Sequence, residues 1–320
     1  MITNQTTRTL KLGAVDIGSN AIRFQVTSVL EHEKTISFKK LEYVRFPLRL
    51  GQDVFNNNEI SAEKEAKFIK LMQTFKNLFD LYEVDDFIIC ATSAMRESKN
   101  GKDIAYKVKF LLGVDIQIID GEKEAELINK VLFSELDDHS YIHIDVGGGS
   151  TEINIFEDKK KVATNSFKIG SVRRLSGLDT SEEWEHMRSW IEKYTHNVQK
   201  PITAIGTGGN IGKIYELANP GKMKGNMKQL ISINKMEEMR AFISQYDLED
   251  RINVLMLNPD RADVIIPASD IYISAMKFAK ATKMQVPEVG LKDGLMLMLY
   301  ERNKKYRGKS TFKNVNKYAK

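Results

Sequence analysis

Short β-rich runs of apolar residues alternate along the first 133 positions with longer stretches in which apolar residues recur every three or four positions. The first pattern predicts strands and the second predicts helices. The clearest helix extends from about Ser61 to Tyr82, because Ser61 is a favourable N-terminal cap and the apolar side chains share one face. The other predicted elements are a β-hairpin at 12–30, strands at 41–44, 87–90 and 115–119, a loop through 95 and 96, and helices at 103–112 and 122–133.

The second half of the chain repeats this plan. Such β-α-β alternation is typical of α/β proteins. We therefore predict two α/β domains, residues 1–122 and 123–299, that pack together around a cleft, with a C-terminal helix of about residues 300–320 packing back on the first domain. The elements predicted after residue 133 are a second hairpin around 145, a strand that ends near 168, a helix at about 181–197, a strand at 202–205, a helix after 210 and a long apolar helix after 263.

Length and composition fit a two-domain globular protein. A chain of 320 residues exceeds the size at which one hydrophobic core usually keeps growing, and 42% hydrophobic with 28% charged residues is ordinary for this class. The apolar runs are too short to cross a bilayer and the N-terminus has no signal pattern, so we expect a cytoplasmic protein without membrane segments. The single cysteine, Cys90, follows a predicted strand and fits a buried position in a reducing compartment.

The formal net charge of +5 is unevenly distributed, because residues 301–320 carry eight basic side chains and one acidic one. A basic tail of this kind attracts polyanions such as polyphosphate or nucleic acid. A solvated chain terminus is the simpler interpretation. Charge alone therefore does not choose a partner.

Two segments 129 positions apart read almost the same way: a β-rich run that ends in aspartate, a turn of glycine and serine, and a second β-rich run. A glycine turn lets backbone N–H groups approach an anion, and the preceding carboxylate, Asp16 or Asp145, can hold Mg²⁺ directly or through water. An aspartate at the end of a strand is also ordinary turn chemistry, but its repetition predicts two facing loops that grip a phosphate chain and its Mg²⁺. The predicted loop residues are Gly18, Ser19 and Asn20, followed by Arg23, and Gly147, Gly148, Gly149, Ser150 and Thr151.

Thr92, Ser93 and Arg96 follow a predicted strand. Ligands of parallel sheets usually gather at this end of a strand, and a guanidinium there can bind phosphate oxygens in a bidentate manner. An ordinary surface arginine is the alternative. We take the three residues as candidates for phosphate binding.

Other candidates are acidic residues and glycines near the predicted cleft. Glu122 and Glu124 open a helix, where acids are favoured by the dipole but where a glutamate can also deprotonate water. Glu152 follows the second turn and either faces the cleft or lies in solvent. Gly208 and Gly209 precede another helix, where the backbone can approach a second anion, a base or a sugar.

Several common types of site are excluded by residue spacing. Residues 206–213 match neither GxGxxG nor GxxxxGK[ST], so neither a Rossmann nor a Walker site is indicated. The five histidines form no zinc pattern with a cysteine or an acid, and a GxSxG nucleophile elbow is absent. What remains is phosphate chemistry assisted by a metal with oxygen ligands.

Seven segments in order form a specific pattern: 14–20 (AVDIGSN), 91–96 (ATSAMR), 121–125 (GEKEA), 145–152 (DVGGGSTE), 170–173 (GSVR), 259–263 (PDRAD) and 290–294 (GLKDG). Together they resemble the exopolyphosphatase/guanosine pentaphosphate phosphatase (Ppx/GppA) family in its short form. This family is a branch of the actin, sugar kinase and Hsp70 ATPase fold. The resemblance implies two RNase H-like, actin-like ATPase domains with a cleft between them. Lys123 and Lys292 depart from the more acidic and more arginine-like patterns expected there.

The resemblance also implies an activity and residue roles. The activity is Mg²⁺-dependent removal of a terminal phosphate from polyphosphate or guanosine pentaphosphate. Glu124 resembles the general base and Arg96 the phosphate ligand of the catalytic set, while Glu152 and Asp145 assist water or metal. With Asp16, the last two form the predicted metal site, and the two glycine turns are the phosphate loops.

We predict an exopolyphosphatase first and a guanosine pentaphosphate 5′-phosphatase second. A different class is an ATP-dependent kinase of the same fold, and another is a non-enzymatic sensor of polyphosphate or alarmone. We expect polyphosphate or guanosine pentaphosphate as the partner, and neither a membrane nor nucleic acid. A homodimer is left open.

Overall fold

A computed structural model describes residues 8–32, 35–133, 136–196, 198, 201–221 and 229–305 of the chain. This part of the chain contains two mixed β-sheets with helices packed around them. No helix among the described residues is long and apolar enough to cross a membrane.

The first sheet and its helices are built from residues before position 119. The elements are β1 (Arg8–Ile17), β2 (Ile22–His32), β3 (Thr35–Phe46), α1 (Leu50–Asn57), α2 (Ala62–Leu81), β4 (Asp86–Ala91), α3 (Ser93–Glu97), α4 (Gly101–Leu112) and β5 (Ile116–Ile118). The strand order is β3-β2-β1-β4-β5. Strands β1, β2 and β3 pair antiparallel, whereas β1, β4 and β5 pair parallel.

The second sheet repeats this order. The elements are α5 (Gly121–Leu132), β6 (Ser140–Val146), β7 (Thr151–Glu157), β8 (Lys160–Phe167), α6 (Ser171–Leu175), α7 (Ser181–Thr195), β9 (Ile202–Thr207), α8 (Gly209–Ala218), β10 (Leu230–Ser232), α9 (Ile233–Ser244), α10 (Leu248–Asn253), α11 (Pro259–Ala262), α12 (Ile265–Phe278), β11 (Lys283–Gln285) and α13 (Leu291–Lys305). The strand order is β10-β11-β9-β6-β7-β8. Read from the other edge, β8-β7-β6-β9-β11 matches β3-β2-β1-β4-β5 in order and direction.

Helix α2 confirms the clearest sequence prediction. The Ser61 side chain caps the helix by accepting a hydrogen bond from the backbone N–H of Lys64, which satisfies one free donor of the first turn. The apolar stripe faces the first sheet, and the Phe24 and Phe75 rings stack with centroids 4.9 Å apart. The fully or nearly fully buried residues of this stripe are Phe68, Met72, Phe75 and Phe79.

The predicted loop through residues 95 and 96 is wrong. Residues Ser93–Glu97 form the short helix α3, in which the Arg96 backbone N–H donates to the Thr92 carbonyl at 3.0 Å. A helix of five residues makes little more than one turn, so it cannot show an apolar period.

Helices α5 and α13 lie between the two sheets. Their apolar side chains share one buried cluster with Leu12 of the first sheet and Tyr141 of the second. The helices cross closely, since a Cβ at Gly294 would lie 2.2 Å from the Leu127 carbonyl oxygen. Glycine at position 294 is therefore required for this crossing.

The chain returns to the first sheet at its C-terminal end. Helix α13 begins at Leu291 and contacts β1, β2 and β4. Residues 306–320 of the predicted C-terminal helix lie outside the described residues. The division into domains 1–122 and 123–299, whose boundary falls in the first turn of α5, stays a prediction.

Candidate active site

The two glycine turns contact each other. A Cβ at Gly148 would lie 2.8 Å from the Ser19 Cβ and 3.4 Å from the Asn20 nitrogen, so only glycine allows this approach. Each turn is closed by a backbone hydrogen bond, donated by Gly18 at 3.2 Å in the first and by Gly147 at 2.9 Å in the second. Backbone N–H groups of both turns therefore lie close together.

A cleft of about 1390 Å³ opens beside the turns and is lined by residues from both halves of the chain. Asp16, near the end of β1, and Asp145, near the end of β6, both line it. The structure thus brings most of the predicted site residues to one cleft. Those that line it are Asp16, Gly18, Ser19, Asn20, Arg23, Thr92, Ser93, Glu124, Asp145, Gly147, Gly148, Ser150, Gly208 and Gly209.

Four predicted site residues are not part of this lining. Gly149 packs against Phe55, whose ring would lie 2.3 Å from a Cβ at that position. The Thr151 hydroxyl donates to the Ile169 carbonyl at 2.5 Å and is fully buried. Glu152 is 1% exposed, which excludes the alternative interpretation that its side chain lies in solvent. The fourth residue is Arg96.

Arg96 lies on helix α3 beside the acidic residues. Its Nη1 donates to the Ile119 carbonyl at 2.8 Å. Burial raises the pKa of Glu124 and of Glu152, and the positive charge of Arg96 offsets a small part of that rise because it favours the ionised forms. Direct binding of phosphate by Arg96 stays a prediction.

Polar residues lie side by side across the second sheet. Asp145 on β6 is the register partner of Glu152 on β7 and of Thr207 on β9, and Ser166 on β8 is the partner of Glu152. Oε1 of Glu152 accepts hydrogen bonds from the hydroxyls of Ser150 at 2.7 Å and Ser166 at 2.8 Å. The carboxylate is therefore held in a fixed orientation.

The acidic side chains of this row, and Glu124 on α5, have raised pKa values. Burial, with the neighbouring charge of Asp145, raises the pKa of Glu152 to about 7. Burial likewise raises the pKa of Asp145 to about 6, against the hydrogen bond from Thr207. Burial and the charges of Glu152, Asp145 and Asp16 raise the pKa of Glu124 well above its ordinary value. Carboxylates of this kind can exchange protons near neutral pH.

Polar residues lie side by side across the first sheet as well. Asp16 on β1 is the register partner of Arg23 on β2, which is the partner of Arg45 on β3. Burial lowers the pKa of Arg23, but the carboxylate of Asp16, which accepts from Nη1 at 2.7 Å, more than offsets it and raises the pKa overall. The guanidinium therefore stays charged at the cleft wall and can bind phosphate oxygens.

The architecture and site can be compared with known proteins. The model of the Ppx/GppA phosphatase family matches residues 28–303. The chain belongs to this family.

The chain is similar to Ppx/GppA proteins with different names, of which two relatives and one crystal structure are examples. The guanosine-5′-triphosphate,3′-diphosphate pyrophosphatase of Photobacterium profundum is 24% identical over 308 residues, which are 92% of this chain and 59% of the relative. Exopolyphosphatase 1 of Mycobacterium tuberculosis is 22% identical over 312 residues, 90% of this chain and 88% of the relative. The crystal structure of an exopolyphosphatase from Cytophaga hutchinsonii aligns with a TM-score of 0.79 at 21% identity, covering 91% of this chain and 98% of that one.

These comparisons confirm the predicted family and the predicted α/β fold of two actin-like sheets with a cleft. This Ppx/GppA chain spans just under three fifths of the Photobacterium relative's length.

Sequence reasoning missed ion pairs that connect the two halves of this Ppx/GppA protein. Arg45 donates to both carboxylate oxygens of Asp260, and Arg49 Nη2 donates to Asp263 at 2.6 Å. Asn20 Nδ2 also donates to the Asp260 carbonyl at 2.7 Å. The segment 259–263 was part of the family pattern but had no assigned role, because partners 214 and 215 positions apart leave no local pattern.

Mg²⁺ is the cofactor predicted for this Ppx/GppA protein, with Asp16, Asp145 and Glu152 as ligands. Within the described ranges, no three His, Cys, Asp or Glu side chains form a group that could hold a metal by themselves. Mg²⁺ usually takes only one or two carboxylates and completes its shell with water and substrate phosphates. The two cleft-lining aspartates, with oxygen donors and a raised pKa at Asp145, fit an ion shared with a phosphate chain.

The rate of phosphate release is expected to rise with pH between about pH 5 and pH 8. A base must be ionised to accept a proton from water, and the raised pKa values, about 7 for Glu152 and about 6 for Asp145, keep the cluster protonated on the acidic side. The measurement is kcat against pH at saturating substrate. Full activity at pH 5 would contradict the involvement of these carboxylates.

Proposed function

We propose that the protein is an exopolyphosphatase, which removes the terminal phosphate of inorganic polyphosphate by hydrolysis. The observation that carries this proposal is that arginines and carboxylates with raised pKa values line the same cleft. Arg23 and Arg45 line the cleft from the first sheet, each paired with an aspartate, and Glu124 and Asp145, with raised pKa values, line it from α5 and the second sheet. Positive charge binds the phosphate chain, and a carboxylate can take a proton from water.

In the proposed reaction, Glu124 accepts a proton from a water molecule while the water oxygen attacks the terminal phosphorus. The bond between that phosphorus and the bridging oxygen breaks, and the shortened chain leaves with the bonding electrons as an anion. The products are orthophosphate and a chain that is one phosphate shorter. Backbone N–H groups of the two turns other than those of Gly18 and Gly147 stabilise the negative charge together with Arg23, and the charge of Arg96 offsets part of the rise in the pKa of Glu124 and Glu152.

Asp16 and Asp145, which line the cleft, would hold Mg²⁺ directly or through water, and Glu152, which does not line it, would do so only through water. When bound, the ion supplies positive charge that neutralises the phosphate oxygens. In this proposal the glycine turns fix the phosphate chain, and the neighbouring carboxylates contribute to the raised pKa of the proton acceptor Glu124.

A guanosine pentaphosphate 5′-phosphatase is the second candidate. The cleft continues past Gly208 and Gly209 to Lys213, Tyr215 and Pro287. Its volume of about 1390 Å³ leaves room for a nucleoside beyond the phosphates. The same hydrolytic residues would serve both substrates.

The test is an assay of phosphate release from long polyphosphate, tripolyphosphate, guanosine pentaphosphate and ATP, each with and without Mg²⁺. Release from long polyphosphate that depends on Mg²⁺ supports the exopolyphosphatase, and faster release from guanosine pentaphosphate supports the second candidate. ADP formation that requires an added acceptor would indicate a kinase. Tight binding of polyphosphate or alarmone without any release would indicate a sensor and overturn the proposal.

A further inference from the structure

A second row of polar residues lies beneath the first in the second sheet. His143 on β6 is the register partner of Asn154 on β7, which is the partner of Thr164 on β8. His143 and Asn154 are 0% exposed. Burying polar groups is unfavourable unless their hydrogen bonds are made. Ile142 and Ile144 already contribute to the hydrophobic core on the opposite face of the sheet. Filling the core therefore does not explain the buried polar row.

The hydrogen bonds of Asn154 fix the orientation of its amide group. Its Oδ1 accepts from the Thr164 hydroxyl at 2.7 Å and from Asn129 Nδ2 at 2.9 Å. Its Nδ2 therefore faces His143 Nδ1, at 3.0 Å, and donates to it. Asn129 belongs to α5, so the same amide also ties the sheet to the helix that carries Glu124.

The tautomer of His143 follows from this donation. Since Nδ1 accepts a hydrogen bond, the ring proton is on Nε2, which lies 2.9 Å from the Thr207 hydroxyl oxygen and donates to it. Burial lowers the pKa of His143 to about 3, in keeping with a neutral ring. Thr207 Oγ1 is thus occupied as an acceptor, and its own proton is directed to the Asp145 carboxyl group, with which it forms a hydrogen bond.

We propose that His143 is a positioning residue that acts through Thr207. By fixing the direction of the Thr207 hydroxyl, it holds Asp145 at the cleft. Asn154 and Asn129 hold helix α5 in place against the same strands. The proposal rests on the proposed hydrolytic function of the cleft. The chain of contacts runs from α5 to Asp145 without a break through Asn129, Asn154, His143 and Thr207. Its effect falls on the reaction step, since none of these four residues lines the cleft.

The first test is a double-mutant cycle on His143 and Thr207. His143→Leu and Thr207→Val are each expected to lower kcat about tenfold with little change in KM, the size expected for one hydrogen bond to a charged group. The double variant is expected to lose no more than either single variant, because His143 acts through the hydroxyl. Additive losses, or a loss in KM alone, would overturn the proposal.

Conservative variants separate positioning from packing. Thr207→Ser keeps the hydroxyl, and His143→Gln keeps one acceptor and one donor, so both are expected to recover most of kcat. His139→Gln changes an exposed histidine at the start of the same strand and serves as the matched control. If Thr207→Ser loses as much kcat as Thr207→Val, keeping the hydroxyl does not preserve the rate, and the proposal fails.

The second test does not depend on activity. Long-range ¹H–¹⁵N NMR of the histidine rings in the full-length protein is expected to show, for the signal that disappears in His143→Gln, a protonated Nε2 and an unprotonated Nδ1. A protonated Nδ1 would overturn the hydrogen-bond direction. A wild-type protein that releases no phosphate but shows the expected tautomer would overturn the proposed function while leaving the hydrogen-bond chain supported.

Discussion

Glu124→Ala is expected to lower kcat for phosphate release by about 10²–10⁴-fold, the range for loss of a general base. Glu124 lines the cleft in the first turn of α5, and its pKa is raised by burial and by three neighbouring carboxylates. The groups proposed to bind the anion, Arg23 and the backbone of the two glycine turns, are untouched by the substitution. Binding of polyphosphate should therefore remain, and the loss should appear in kcat. The measurements are steady-state phosphate release and equilibrium binding of polyphosphate.

Glu122→Ala is the matched control for this experiment. Glu122 lies in the same helical turn and carries the same charge, but its side chain is exposed and does not line the cleft. Both residues contribute similarly to the favourable interaction with the helix dipole. A small effect of Glu122→Ala would assign the role to Glu124. An equal loss from both variants would overturn that assignment.

Glu152→Gln is expected to lower phosphate release and to raise the stability of the protein without Mg²⁺. The folded state raises the pKa of Glu152 from 4.5 to about 7, so folding disfavours its ionised form. Stability from this group is fully present below about pH 4.5 and is lost as pH rises through about 7. At pH 8 the loss amounts to at most about 3 kcal/mol. Glutamine has no charge to bury and can still accept from Ser150 and Ser166.

Thermal unfolding at several pH values tests this expectation. The gain in Tm from Glu152→Gln should be largest at pH 8 and should vanish near pH 4, where the wild-type carboxyl group is already protonated. Glu122→Gln, at an exposed position, controls for the change in net charge. A Tm difference that is constant across the pH range, or a lower Tm of Glu152→Gln than of the wild type at pH 8, would contradict the raised pKa of Glu152.

The sequence predicted those parts of the structure that depend on neighbouring residues. Helix α2 was predictable because its cap at Ser61 and its apolar stripe are local, and the turns at Gly18 and Gly147 were predictable because glycine and the preceding aspartate are adjacent. Helix α3 was missed because it is too short to have a period. Local patterns therefore specify elements that are longer than about one helical turn.

The remainder of the site depends on register and on distant partners. Alternation along β7 places Glu152 and Asn154 on one face, but only the pairing with β6 and β8 shows that this face is buried. Arg45 and Asp260 pair across 215 positions, for which one sequence holds no signal. The location of the cleft was thus predictable, whereas its electrostatics required the tertiary structure.

Because the two sheets share one strand order, the charged residues at corresponding positions can be compared directly. Beside Asp16 the first sheet places Arg23, and at the corresponding place beside Asp145 the second sheet places Glu152. The duplicated scaffold therefore places an arginine beside the aspartate in one repeat and a glutamate beside it in the other, so the two repeats differ in local charge. The fold thereby sets an arginine–aspartate pair in one repeat against a pair of carboxylates in the other, the division of charge that the proposed attack of water on a bound phosphate requires.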